Sequence, residues 1–387
     1  MAQRHLESSE RLSGNDVDVL GCYLRSQATE FLRSLRQHRE SGAAGDTADA
    51  ARALRRAARR ISGTLHTFRP LLDTDWSDAL RPELAWLSGT LAREHAYASR
   101  LDRLTSALHT LTSPPSPTPR GSAPDPAAQS PQGLNLAHPP QGREGAAPAL
   151  GNLPPGAAGW ARRPPAPRAD TTTSTPASAP RADTTAPTPA PHAETPPPAR
   201  ETLTLGAAKA SALLERQLTL ARTRAHSTAL QALGSARFHA VADNVAVLAS
   251  DVPLTTADTG LEKLAAEAGS RLAEAATTLH HTSHPYSPDA DAAWHHVRLL
   301  LRLHRYAREV VSSAPVDARL LDAADALNAH RDAAEAAAAA AHAARTPRIA
   351  PTTAYALGVL HADQRHEVAA ARLAFGQAWQ RQTVGTP

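Results

Sequence analysis

Residues 47–72, TADAARALRRAARRISGTLHTFRPLL, carry the pattern that decides the fold. The stretch has no proline before Pro70, and its apolar and basic residues recur at helical spacing. This predicts a helix over residues 47–69 that ends at the proline. At about 100° per residue, the arginines share one arc of the helix and the apolar side chains occupy the opposite arc. The arginines are Arg52, Arg55, Arg56 and Arg59, and the apolar residues are Leu54, Ile61, Leu65 and Phe68.

The basic arc is unusual because no acidic residue lies between Asp49 and Asp73. A solvated helix face usually mixes acids with bases, since like charges four residues apart repel by roughly 0.2–0.5 kcal/mol. The arginine arc contains two such pairs and nothing to relieve them. The pattern therefore favours a face that meets a polyanion, with an ordinary solvated face as the alternative.

A second stretch, residues 288–312, repeats the arrangement. Its first basic position is His295, and the others lie three, seven and ten residues later, at Arg298, Arg302 and Arg305. The same offsets in the first stretch select Arg52, Arg55, Arg59 and Ser62. The agreement indicates an internal duplication in which each half of the chain places one basic helix at its centre.

The rest of the chain is also predicted to be helical. Hydrophobic residues make up 42% of it and aromatic residues only 4%, and much of the apolar fraction is alanine, the best helix former. No stretch alternates β-branched and aromatic residues as a strand would. The other predicted helices cover 15–42 with Asn15 or Asp16 as cap, 73–111, 205–233, 235–249, 257–281, 288–312, 316–344 and 351–382. Their short connections favour antiparallel neighbours and an all-α bundle.

Residues 113–200 differ in composition from the helices on both sides. They are dense in Pro, Ala, Thr, Ser and Gly, and such a segment cannot bury enough apolar surface to offset its ordering entropy. We expect a long disordered insert between an N-terminal helical part, 1–112, and a C-terminal helical part, 201–387. Its notable apolar residues are Leu153 and Trp160, and a docking motif there is the alternative to a plain linker.

Several classes of site are disfavoured by the sequence. Cys22 is the only cysteine, which excludes an intrachain disulfide and a cysteine-based metal site. His280, His281 and His284 lack a partner carboxylate or thiolate at a suitable spacing, so a solvated helix end is favoured over a metal site. No nucleophile elbow or phosphate-cradling glycine loop is present. We therefore expect neither an enzyme nor a bound cofactor or metal.

The N-terminus is unlike a signal peptide, and no apolar run approaches the roughly 20 residues of a membrane helix. We expect a cytoplasmic protein without membrane contact. The formal net charge is +4 and the sequence pI is about 9.6. Lys209 and Lys263 are the only lysines, so the positive charge is almost all arginine, the residue that best matches phosphate oxygens in pairs.

The segment 59–72, RRISGTLHTFRPLL, resembles the signature helix of CHAD domains, the conserved histidine α-helical domain. Stretches at 84–91, 220–238, 295–306 and 327–332 are similar to later blocks of that family and occur in the same order. The resemblance covers essentially all of the chain except the insert. It implies two pseudo-symmetric antiparallel four-helix-type bundles around a basic central cavity that binds inorganic polyphosphate.

The resemblance also assigns residues to that cavity. Together with the basic arc, it predicts polyphosphate contacts from Arg52, Arg55, Arg56, Arg59, Arg224, His295, Arg298, Arg302, Arg305 and His330. The chain departs from the family pattern at five places. Arg52 stands where a histidine is usual, Ser62 replaces an arginine, and His95–Ala96 replaces an Arg–Asp pair. Two further basic positions have become Leu299 and Leu303. The cavity is therefore less charged than the family pattern.

Three hypotheses about function follow. The first is a non-catalytic module that binds polyphosphate, associated with polyphosphate granules or polyphosphate metabolism. The second is a helical scaffold that binds nucleic acid or acidic protein partners through the same arginines, although the basic helices lack the stacking aromatics and recognition amides common in nucleic-acid binders. The third is a degenerate fold kept for protein–protein contacts, with the insert as its interaction arm.

Overall fold

The computed structural model describes residues 2–40, 44–113, 199–255, 259–279, 288–312, 314–315 and 317–380. Within them the chain is all-α, as predicted, and an isolated bridge between Leu72 and Leu254 is the only pairing of β type. The described helices are α1 (Ala2–Glu40), α2 (Ala44–Thr67), α3 (Thr74–Thr112), α4 (Ala199–Leu233), α5 (Ala236–Ser250), α6 (Leu261–Thr278), α7 (Pro288–Val311), α8 (Ala318–Ala344) and α9 (Pro351–Gln380). None of them is both long and apolar enough to cross a membrane.

Local side-chain caps explain where several helices begin. Asp73 precedes α3 and accepts a hydrogen bond from the backbone N–H of Trp76 at 2.9 Å. Ser235 and Asp317 serve α5 and α8 in the same way. Each cap satisfies a backbone donor that the first turn leaves without an intrahelical partner. These are the boundaries that the sequence predicted to within a residue or two.

The start of α1 corrects the prediction of a cap at Asn15 or Asp16. The helix begins at Ala2 and continues through both residues. Residues 2–14 hold no proline, and the single Gly14 costs only about 1 kcal/mol in a helix, which is too little to end it. Asp16 instead accepts a hydrogen bond from the backbone N–H of Leu261 at 3.0 Å. Its carboxylate therefore caps α6, far away in sequence.

The predicted insert lies almost entirely outside the described residues. Ser113 ends α3, and α4 begins at Ala199, so the helix starts six residues earlier than predicted and takes in the last two residues assigned to the insert. Leu153 and Trp160 lie outside the described residues, as do the histidines at 280, 281 and 284.

Three large hydrophobic clusters and a small one between α8 and α9 hold the described helices together. The largest joins α1, α2, the first half of α3, α5, the start of α6 and the end of α7. The second joins the end of α3 to α4, the end of α8 and the start of α9. The third joins the end of α6 to α7, the start of α8 and the end of α9. Because each of the first two clusters contains helices from both sides of the insert, the chain folds as one unit. The pseudo-symmetry of its halves stays a prediction.

A glycine brings the two predicted basic helices close together. A Cβ atom at Gly63 of α2 would lie 2.6 Å from Cδ2 of Tyr306 and 3.3 Å from Cδ2 of Leu303, both on α7. Real Cβ atoms do not approach so closely, so only glycine lets α2 and α7 pack at this distance. The close packing sets the two arginine rows side by side.

Candidate functional site

Arginines from α2 and α7 meet in a cavity between these helices and α8. Arg59 is only 1% exposed and Arg298 8%, unusual values for side chains that normally reach water. Arg55, predicted for the same site, is 3% exposed but is not among the residues that line the cavity. The cavity has a volume of about 200 Å³, and we call it the arginine cavity. Its lining consists of Arg56, Arg59, Arg60, Arg298, Leu301, Arg302, Arg305, Tyr306, Glu309, Ala324 and Asn328.

The electrostatics of the cavity are those of crowded like charges. Burial, reinforced by the neighbouring guanidinium groups, lowers the pKa of Arg55, Arg59, Arg298 and Arg302. A guanidinium nevertheless stays protonated in proteins. The lowered pKa therefore indicates how unfavourable the clustered charge is. An anion in the cavity would relieve that repulsion.

Side chains of the protein hold two of the cavity arginines. Nε of Arg298 donates to Oδ1 of Asn328 at 2.9 Å, and Nε of Arg60 donates to Oε2 of Glu309 at 2.8 Å. Nε of Arg305 is buried and makes no hydrogen bond within the described residues. Six arginines line the cavity against one carboxylate, that of Glu309. The lining of the cavity thus carries a clear excess of positive charge.

The remaining predicted residues of α2 and α4 lie at or beyond the edge of the cavity. Arg52 is partly exposed and forms an ion pair with Asp49, one turn earlier in α2, so the prediction that nothing relieves the charge of the arginine arc was wrong at this end. Burial lowers the pKa of His95 on α3, and the positive charges of Arg55 and Arg52 lower it further. The His95 that replaces the family's arginine therefore faces the same basic cluster. Arg224 is exposed on α4 and is not among the residues that line the described cavities.

The two predicted histidines belong to a neighbouring buried network centred on Asp291. Nη1 of Arg365 donates to Oδ2 of Asp291 at 2.7 Å, and Nη2 of Arg372 donates to Oδ1 at 2.7 Å. Nε2 of His330 lies 3.4 Å from that Oδ1. His295 meets the His330 ring edge-on at 5.9 Å between centroids. This Asp291 network ties α7, α8 and α9 together beside the arginine cavity.

Aromatic packing fixes the network. The ring of Trp294 stacks on His330 with 5.2 Å between centroids, and Arg372 lies over the same indole at 5.2 Å. Burial lowers the pKa of His330 even though Asp291 acts in the opposite direction. The histidine therefore sits in a rigid, nearly dry environment whose partners are side chains of the protein.

Sequence reasoning missed several residues of the site. Arg60, Asn328, Tyr306 and Glu309 line the cavity, and Arg331 is buried next to it, paired with Asp332 and Glu335. A signal for part of this set was available on α7. The predicted basic positions on α7, which are His295, Arg298, Arg302 and Arg305, lie three or four residues apart. Four residues before the first of them is Asp291, and four residues after the last is Glu309. One helix face thus carries a carboxylate at each end and basic groups between.

Two larger cavities adjoin the arginine cavity. One, of about 480 Å³, lies at the C-terminal end of α7 and shares Arg305 and Glu309 with it. The other, of about 460 Å³, lies against α1 and α2 and shares Arg56, Arg60 and Glu309. Glu309 is common to all three cavities.

Comparison with known proteins agrees with the fold and the order of the motifs. The family model of the CHAD domain matches residues 26–341. The chain is also similar to the solved structure of PptA from Streptomyces chartreusis, with 52% sequence identity and a TM-score of 0.65. That match covers 94% of this chain and 99% of PptA. Among curated proteins, no significant match is found.

Proposed function

Because the chain belongs to the CHAD domain family, we propose that it binds inorganic polyphosphate in the arginine cavity and does not transform it. The observation that carries the proposal is the imbalance of charge inside the cavity. Six arginines from two helices line a cavity of about 200 Å³ with a single carboxylate among them. A ligand that brings several closely spaced negative charges complements that lining.

The chemistry of polyphosphate suits guanidinium groups. The polymer presents oxygen atoms along its whole length and offers no base or ring on which to stack, so recognition rests on forked N–H donors. A partly desolvated cavity strengthens each of these contacts above its value at the surface. The apolar groups of Leu301 and Ala324 supply that desolvated wall.

The hydrogen bonding of the Glu309 carboxylate supports binding without a reaction. Its carboxylate is the one acidic group among the lining residues of the arginine cavity. Oε2 accepts hydrogen bonds from Nε of Arg60 at 2.8 Å and from the hydroxyl of Tyr23 at 3.1 Å, and Oε1 lies 3.4 Å from Nη2 of Arg60. Both oxygens are thus engaged, which makes the group a poor general base for an attacking water. A binding module of this kind would act where polyphosphate accumulates, including polyphosphate granules in the cytoplasm.

The decisive experiment is a calorimetric titration with long-chain polyphosphate at about 0.15 M salt, an ionic strength at which surface contacts are largely screened. The variants are Arg59→Met and Arg302→Met, which remove one cavity charge each from α2 and α7 while keeping an unbranched side chain. Arg216→Met on the exposed surface of α4 is the matched control. Thermal melting establishes that each variant is folded.

We expect each cavity variant to bind roughly 10–100-fold more weakly, since a hydrogen bond to a charged group contributes about 1.5–3 kcal/mol, and the Arg216 variant to match the wild type. Single-stranded RNA of equal total charge serves as competitor. RNA that displaces polyphosphate equally well would replace the proposal with a general polyanion surface. Wild-type protein that binds no polyphosphate would overturn it.

A further inference from the structure

Glu309 occupies an unexpected position for a site that collects anions. It is the residue shared by the arginine cavity and both adjoining cavities, so a polymer that extends from one to another must pass its carboxylate. A negative charge there opposes the binding that the arginines favour. The question is which ligands it opposes most.

The carboxylate is held in place from two other helices. Tyr23 of α1 and Arg60 of α2 both donate to it, and the guanidinium of Arg60 also lies over the ring of Tyr306, 5.7 Å from its centroid. Burial and the charge of Glu309 raise the pKa of Tyr23, so this hydroxyl keeps its proton and its donor role. The carboxylate is therefore a fixed charge that cannot swing aside when a ligand arrives.

A fixed negative charge distinguishes the two kinds of phosphate in a polyphosphate chain. Each interior unit carries one negative charge. A terminal phosphate loses a second proton with a pKa of about 6, as phosphate monoesters do, and is close to doubly charged at pH 8. Coulomb repulsion scales with charge, so a terminal phosphate beside Glu309 is repelled about twice as strongly as an interior unit.

From this geometry we infer that Glu309 determines specificity, because it favours the interior of a polyphosphate chain over chain ends and over terminal phosphates in general. The inference rests on the proposed function. It assigns the site to singly charged phosphate units that run past Glu309, and it disfavours linear oligophosphates in which most units are terminal.

The test compares two ligands with the same number of phosphates. Cyclic triphosphate has only interior units, whereas two of the three units in linear triphosphate are terminal. Their affinities at pH 8 are measured by competition against labelled long-chain polyphosphate, for wild type and for Glu309→Gln. We expect Glu309→Gln to raise the affinity for the cyclic ligand about threefold and the affinity for the linear ligand about tenfold. Doubling the charge doubles the repulsion energy, which squares the change in affinity.

Controls separate the effect of charge from that of folding. Glu309→Asp keeps the charge and is expected to keep the wild-type preference. Glu83→Gln removes a carboxylate that forms a similar bidentate pair, with Arg237, and neither residue lines any of the three cavities, so we expect it to change neither affinity. If Glu309→Gln alone does not fold, Glu309→Gln/Tyr23→Phe also removes the hydroxyl that donated to the carboxylate and changes no other charge in the cavity, and the preference for the cyclic ligand must still fall.

The outcomes distinguish the two proposals. Equal gains for both ligands, or no gain, overturn the role of Glu309 and leave polyphosphate binding intact. Wild-type protein that fails to bind the labelled long chain overturns the proposed function and this inference with it.

Discussion

We expect a small chemical change at Asp291, its replacement by asparagine, to lower the free energy of unfolding substantially. Asp291 is 7% exposed and accepts hydrogen bonds from two arginines, Arg365 and Arg372, at 2.7 Å each. Asp291→Asn keeps the size of the side chain and removes its charge. Two guanidinium groups, one of them almost fully buried, then face a neutral amide.

The magnitude follows from the asymmetry of buried ion pairs. Removing one partner leaves an uncompensated buried charge, which costs about 3–5 kcal/mol. At roughly 2–4 °C per kcal/mol for a chain of this order of size, the expected fall in Tm is about 6–20 °C. Differential scanning calorimetry together with urea unfolding measures the change in Tm and in free energy of unfolding.

Asp78 provides the matched control. It pairs with Arg69 through three hydrogen bonds of 2.6–3.1 Å, but the side chains are 41% and 47% exposed. Asp78→Asn makes the same chemical change at the surface and is expected to leave Tm almost unchanged, because solvent screens an exposed ion pair. If Asp291→Asn destabilises the protein no more than Asp78→Asn does, the reasoning from burial is wrong.

A double variant tests the cause of the loss. Asp291→Asn/Arg365→Met also removes one of the two guanidinium groups that paired with the carboxylate of Asp291. The free energy of unfolding should then recover by about 1 kcal/mol or more relative to Asp291→Asn alone, because replacing a whole buried pair by apolar groups is often neutral. A further loss instead would show that Arg365 stabilises the fold through packing.

Other predictions concern helix packing and acid stability. A Cβ at Gly206 would lie 2.0 Å from the backbone oxygen of Thr352, so Gly206→Ala should destabilise the protein by about 2–3 kcal/mol, as overpacking does. At Gly358 such a Cβ would have nothing within 4 Å, so Gly358→Ala should stabilise α9 by up to about 1 kcal/mol. Urea unfolding measures both variants, and equal changes in their free energies of unfolding would contradict the reasoning from packing. Burial alone would raise the pKa of Asp291, but hydrogen bonds from its histidine and arginine partners hold it well below the ordinary value. Its contribution is therefore complete above about pH 4 and declines as the pH falls through the folded pKa, so the difference in Tm between wild type and Asp291→Asn should narrow below pH 4.

The fold was predictable where breakers and caps lie beside the helices that they bound. Asp73 and Pro351 act on the adjacent turn, and the sequence shows them directly. The start of α1 was not predictable in this way. Asp16 resembles a local cap, yet its partner is the backbone N–H of Leu261, which only the packed fold brings within reach.

The same distinction applies to the candidate site. The arginine rows of α2 and α7 follow from spacing within single helices. The Asp291 network depends on α9, whose Arg365 and Arg372 are indistinguishable in sequence from exposed arginines, and on burial that no single helix encodes. Arg224, chosen by resemblance, lies exposed, while Arg331 beside the chosen His330 is buried. Whether Arg224 contacts a ligand stays a prediction.

The row of ionic groups on α7 has finite length. At 1.5 Å per residue, about 27 Å separate Asp291 from Glu309, and the basic stretch from His295 to Arg305 spans only about 15 Å. A polymer longer than this stretch gains no further contacts with this row from its added units. Each added unit instead creates one more register in which an equivalent segment can occupy the site. Apparent affinity per chain should then grow in simple proportion to chain length, by statistics alone, while the affinity per occupied segment stays constant.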